Sequence, residues 1–190
     1  MTANRWFAAR GWILAVALPV ILIARAISNA PLRPPWLLLV VAGIILRGWA
    51  GAHLGTHGNA ARAQAPDLAT SGPYRFSRNP LYLSNTFVST GIILYANASV
   101  LWISILLILA ILLHHVILVR HEESVLAGIF GDRYDAYRHA VPRWIGFRCG
   151  EKQGRDAGGY SLRSMLVRQG RNIAYALASV LSVWVVAKWS

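Results

Sequence analysis

The strongest constraint on this chain is a run of twenty residues without a formal charge, VLWISILLILAILLHHVILV, from Val100 to Val119. The hydrocarbon core of a bilayer takes about 20 apolar residues of helix. Within lipid a segment must satisfy its own backbone hydrogen bonds, so such a run is read as a helix. Four more apolar runs flank it: Trp12 to Ala26, Pro35 to Gly55, Leu81 to Asn97 and Asn172 to Trp189. The third of the five is short and carries several polar residues. Together they predict an all-α, polytopic integral membrane helix bundle with about five transmembrane helices, near 11–27, 35–55, 81–97, 99–120 and 171–188. The alternative, buried helices of a soluble domain, leaves too little polar chain to coat such a core, because only 14% of residues are charged against 56% hydrophobic. The first run lacks a clean small-residue cleavage site and further spans follow it, so it reads as a span and not as a cleaved signal peptide.

A formal net charge of +12 in a soluble chain would point to nucleic acid. Here the placement of the charge points elsewhere, and no nucleic-acid partner is expected. With the N-terminus inside, Arg5, Arg10, Arg62, Arg75, Arg78 and the ten basic residues from Arg120 to Arg171 are cytoplasmic. Only Arg25, Arg33 and Lys188 fall outside, and Arg47 lies within the second span. That is the positive-inside pattern, and it suits anionic lipid headgroups as partners. The compact, arginine-biased chain fits a bacterial inner membrane. A single cysteine, Cys149, excludes a disulfide framework. His53 and His57, His114 and His115, and His121 form no closed ligand pattern, so no metal is expected.

The whole of 1–190 reads as a single membrane domain. Two polar regions, 56–80 and 121–171, fall on the same cytoplasmic side. The second begins with helical spacing through Val125, Leu126, Ile129 and Phe130, and Gly131 is expected to end that piece. Residues 147–170, rich in glycine and charge, read as a cytoplasmic linker into an additional C-terminal transmembrane helix over 171–188.

Three constellations carry possible chemistry. In Gly72-Pro73-Tyr74-Arg75-Phe76-Ser77-Arg78-Asn79-Pro80-Leu81-Tyr82, Gly-Pro marks a turn and Pro80 suits the first turn of a helix. The helix start and the two arginines favour a carboxylate or phosphate. The same residues also suit an interfacial anchor, with arginines on lipid phosphate and tyrosines in the aromatic belt. His121-Glu122-Glu123 puts two carboxylates at a membrane boundary, either for a cationic or hydroxyl-bearing ligand or for a salt bridge to Arg75 or Arg78. The run from Phe130 to Trp144, with Tyr134 and Tyr137, offers rings for a nucleoside or a helix lying on the membrane.

Together these blocks resemble the isoprenylcysteine carboxyl methyltransferase family, related to the membrane phospholipid N-methyltransferases. GPYRFSRNPLY resembles its first signature, and EESVLAGIFGDRYDAYRHAVPRWIG its second. The resemblance covers a signature region at about 71–146 and departs from the family at Asn79, where a histidine is usual. Asn keeps a donor and an acceptor but does not titrate. The resemblance implies S-adenosylmethionine as cofactor, a cytoplasmic-side site and a lipid-like acceptor entering from the bilayer. The acceptor is an isoprenoid or prenyl carboxylate or a phospholipid amine. By motif position, Tyr74, Arg75, Arg78, Asn79, Tyr82, Glu122 and Glu123 are the cofactor-side residues, with Tyr134 and Tyr137 packed over the cofactor. If the acceptor needs a base, His121 and Glu123 are the catalytic candidates. Two other readings remain at this stage: a nicotinamide-dependent membrane reductase, since sterol reductases resemble the family near their C-terminal ends, and a non-enzymatic membrane protein with a decayed site, which Asn79 alone favours.

Overall fold

The computed structural model describes residues 12–54, 68–97, 101–146 and 162–189, with side chains from 16 in the first stretch and from 169 in the last. Among the described residues the chain is all-α. Its helices are α1 (Trp12–Ala26), α2 (Leu37–His53), α3 (Pro80–Ala96), α4 (Leu101–Phe130), α5 (Asp132–Ala140) and α6 (Leu162–Trp189), with short 3-10 turns at Pro34–Trp36 and Gly72–Arg75. His57, Cys149 and residues 147–161 of the expected linker lie outside the described residues.

Local chemistry sets several of these boundaries. Pro34 and Pro35 open the turn that leads into α2, and Pro80 is the first residue of α3, where a missing N–H costs nothing. Helix α4 has 30 residues, which at 1.5 Å per residue makes a rod of about 45 Å. It therefore carries the apolar run and His121-Glu122-Glu123 on one continuous helix. Gly131 ends it, with φ +51, and accepts the first hydrogen bonds of α5 from Tyr134 N (2.9 Å) and Asp135 N (3.1 Å). Helix α6 begins at Leu162, inside the stretch that reads as linker. Between Leu162 and Arg171 the chain has no proline, and the single Gly170 costs a helix only about 1 kcal/mol.

Three segments, Pro34–His53, Leu101–Phe130 and Gln169–Trp189, are long and apolar enough to cross a membrane. The other two expected spans are shorter as described: α1 has 15 residues and α3 has 17. Ser84, Asn85, Thr86, Ser89 and Thr90 also dilute the apolar character of α3. The long helices leave large side chains uncovered, among them Leu38 (74% exposed), Trp102 (73%) and Leu181 (59%). Apolar surface of that extent is the pattern of a membrane-associated protein, since water would select against it.

The contacts divide the chain into two units, 1–43 with 85–118 and 172–190, and 44–84 with 119–171. In the first, the connection after α1 is fastened by Arg25 Nη1 donating to Ala30 O (2.6 Å), Arg33 N to Tyr95 O (3.1 Å) and Asn97 Nδ2 to Pro31 O (2.7 Å). Thr86 of α3 and His115 Nδ1 of α4 share a hydrogen bond of 2.8 Å. Gly91 of α3 lies against Val40 and the Trp36 carbonyl. In the second unit a small core forms from Leu68, Tyr134, Tyr137 and Val141, with Leu126, Ala127, Phe130 and Ala140 packed on it.

A β-carbon at Gly91 would sit 2.7 Å from Val40 Cγ2 and 3.0 Å from Val40 N. Backbone cannot yield as a side-chain tip can, so Gly91→Ala is expected to destabilise by about 1–3 kcal/mol. Thermal unfolding in detergent, read against Gly128→Ala, checks this; a β-carbon at Gly128 meets nothing within 4 Å.

Candidate active site

The second unit gathers the signature residues around one buried carboxylate. Glu123, on α4, has a side chain 7% exposed. Its Oε1 accepts from Asn79 Nδ2 at 2.9 Å, and its Oε2 accepts from Arg143 Nε at 3.1 Å and Nη2 at 2.9 Å. Arg78 Nε stands 3.3 Å from Oε1, as a charge contact without hydrogen-bond alignment. Backbone contacts reinforce the same junction. Arg78 N donates to Pro142 O (3.0 Å), Asn79 Nδ2 to Arg143 O (3.2 Å), and Arg78 Nη1 to Arg138 O (3.4 Å). The start of α3, the polar end of α4 and the segment 138–143 are thereby stitched together.

The turn ahead of α3 is built with equal economy. Tyr74 N donates to Ser71 O, and Phe76 N and Ser77 N both donate to Pro73 O. Gly72 has φ +56, a left-handed conformation that suits glycine. Tyr137 OH donates to the Tyr74 carbonyl at 2.7 Å, tying α5 to the turn. From α2, His53 Nδ1 shares a 2.9 Å hydrogen bond with Ser71 Oγ. Trp49 meets His53 edge-on and touches the Phe76 ring, each with centroids 6.4 Å apart.

The residues singled out in the sequence therefore fall into three sets. Arg78, Asn79 and Glu123 belong to the clamp, where their polar atoms are directed at one another. Tyr74, Tyr134 and Tyr137 are 2%, 1% and 5% exposed, so all three rings, among them the two expected over a nucleoside, Tyr134 and Tyr137, are covered by protein. Arg75, Tyr82 and His121 are half-buried. Glu122 is buried beside Glu123 on α4, but successive helical residues diverge by about 100°, so the two carboxylates address different surroundings. The expectation of an open helix start at α3 is narrowed: Pro80 has no N–H, and Tyr82 N and Leu83 N both donate to Asn79 O.

Three residues of the site were not assigned from the sequence. Arg143 lacked a signal because one more arginine in a cationic stretch is unremarkable by spacing. Ser71 sits directly before the Gly-Pro turn. His53 reads from spacing as a candidate metal ligand, yet its position four residues after Trp49 puts both on one side of α2. Among the described residues no group of three or more His, Cys, Asp or Glu side chains is placed to hold a metal ion.

Chemically, the clamp consumes Glu123 and Arg78 internally. Arg75, Tyr82, His121 and Glu122 are the signature residues outside the clamp and outside the tyrosine cluster. By residue type an arginine suits an anion, and a carboxylate suits a cation or hydroxyl.

A family model described as phospholipid methyltransferase matches residues 36–133, just over half of the chain. No curated protein and no solved structure matches.

Asn79 Nδ2 supplies hydrogen bonds both to the carboxylate and to the Arg143 carbonyl. Asn79→Ala leaves the buried carboxylate and the part-buried carbonyl each one donor short and is expected to cost about 2 kcal/mol. Thermal unfolding in detergent measures it, with Asn79→Asp, which sets a like charge against Glu123, expected to cost more.

Proposed function

The chain belongs to the phospholipid methyltransferase family, and from that premise we propose that it moves a methyl group from S-adenosylmethionine to a lipid-like acceptor held in the membrane. The observation that carries this reading is that the matched segment, 36–133, contains both the Arg75 turn and the Glu122–Glu123 pair. The donor set suits the cofactor. Arg75 opposes its methionine carboxylate, Glu122 its ammonium or ribose hydroxyls, and Tyr82 and His121 lie in the same two motifs. The clamp residues and the three buried tyrosines serve as the frame that fixes these groups. When bound, S-adenosylmethionine supplies an electrophilic methyl on a sulfonium, whose transfer needs an in-line nucleophile about 3 Å away and little else.

A carboxylate acceptor needs no base. A neutral amine releases a proton, and His121 is the proton acceptor in this proposal, since Glu123 is engaged by Asn79, Arg78 and Arg143. The likeness of GPYRFSRNPLY to isoprenylcysteine carboxyl methyltransferases supports an isoprenoid-type carboxylate; the family match supports a phospholipid amine. Both are apolar molecules with one reactive polar end, which suits helices whose apolar side chains face outward. The accompanying topology is about five spans, α1 and α3 included, with the N-terminus and the site on the cytoplasmic face, where the basic residues concentrate.

Incubation with methyl-labelled S-adenosylmethionine and total membrane lipid, followed by counting of the organic phase, tests the reading. Label is expected, and Arg75→Ala is expected to lower its incorporation by about tenfold, the loss of one charge-assisted contact. Release by mild alkali identifies an ester, and retention an amine or ether. Absence of cofactor binding by folded protein, in lipid as well as detergent, overturns the proposal.

A further inference from the structure

We infer that His53 is a positioning residue, which sets the turn carrying Arg75 for the carboxylate end of the cofactor; this rests on the methyltransferase reading above. The turn from Ser71 to Phe76 is short, and its direction decides where Arg75 points. Helix α2 grips it at both ends. At the front, His53 Nδ1 is hydrogen-bonded to Ser71 Oγ at 2.9 Å. The tip of the same ring lies where a β-carbon on Gly72 would otherwise fall. At the back, Trp49 packs on Phe76, the residue after Arg75, and also braces the edge of the His53 ring.

The chemistry of each position accounts for its residue type. Ser71 is 5% exposed, and a buried hydroxyl needs a partner. An imidazole provides that partner on one ring nitrogen while its flat tip slides over a residue without a side chain. An aliphatic residue would fill the space but leave Ser71 unbonded. Gly72, with φ +56, supplies both the left-handed turn and the clearance for the ring. His53 thus acts through Ser71 and Gly72 on Arg75, without touching a ligand itself.

The test is a pair of binding titrations on the full chain in lipid nanodiscs, with S-adenosylmethionine and with its decarboxylated analogue. The wild type is expected to prefer S-adenosylmethionine, and Arg75→Ala to erase the preference. His53→Ala is expected to weaken S-adenosylmethionine by about tenfold, the worth of one contact to a charged group, while the analogue stays within about twofold. His53→Asn, which keeps a polar atom within reach of Ser71, is expected to restore most of the preference. Ser71→Ala, a smaller change, shifts the ratio in the same direction if His53→Ala does not fold. A wild-type ratio in folded His53→Ala or Ser71→Ala, or equal weakening of both ligands, overturns the positioning role. Binding of neither ligand by the wild type overturns the methyltransferase reading along with it, an outcome distinct from the first two.

Discussion

A carboxylate removed from water must be surrounded by donors, and the second unit is organised by meeting that requirement at Glu123. Uncompensated, such a group costs several kcal/mol. Asn79, Arg78 and Arg143 meet it from two separate stretches of chain, one leading into α3 and the other following α5. None of these partners is close in sequence to Glu123, so the carboxylate is satisfied only when α3, α4 and the 138–143 segment come together. Arg143 is the most exposed of the group, with 38% of its side chain accessible, and its contribution is screened accordingly. Arg78 and Asn79, both buried, carry more of the burden.

Asn79, where the resemblance to the isoprenylcysteine carboxyl methyltransferases leads to an expectation of histidine, has a physical account. The position needs donors aimed at Glu123 and at the Arg143 carbonyl. A carboxamide supplies two from one nitrogen, where a neutral imidazole has a single N–H. A carboxamide here makes the junction independently of pH in the neutral range. Engaged in this way, Asn79 is a structural element of the clamp.

Much of this architecture was legible in the residues. The uncharged run from Val100 makes α4 unmistakable, Pro80 marks the start of α3, and Gly131 marks the stop before α5. The two polar motifs meet in the structure, where Arg78 and Asn79 contact Glu123 directly. What spacing cannot convey is direction. Arg75 and Arg78 look equivalent in GPYRFSR, yet Arg78 turns toward Glu123, while Arg75 is half-buried and outside the clamp. Tyr134 and Tyr137 look like ligand-facing rings, but their three-residue step also describes the inward side of a helix, and there they pack with Leu68 and Val141. The early start of α6 was hidden because charged residues in the first turns of a long helix resemble a linker. The number of spans was less legible than their presence, since α1 and α3 fall short of the length that the other three reach.

Glu122 and Glu123 are neighbours with the same chemistry, to which the proposed function gives separate tasks: Glu122 would face the cofactor, and Glu123 holds the frame. The most direct measurement is therefore a side-by-side comparison of Glu122→Gln and Glu123→Gln, each assayed for thermal stability and for S-adenosylmethionine affinity of the folded fraction in the same detergent. The account predicts that Glu122→Gln weakens binding by about tenfold at near wild-type stability, as loss of a charge-assisted contact would. It predicts that Glu123→Gln lowers stability by about 3 kcal/mol, with binding by the folded fraction close to wild type. The reverse pattern, or equal effects of the two substitutions on binding, would contradict it.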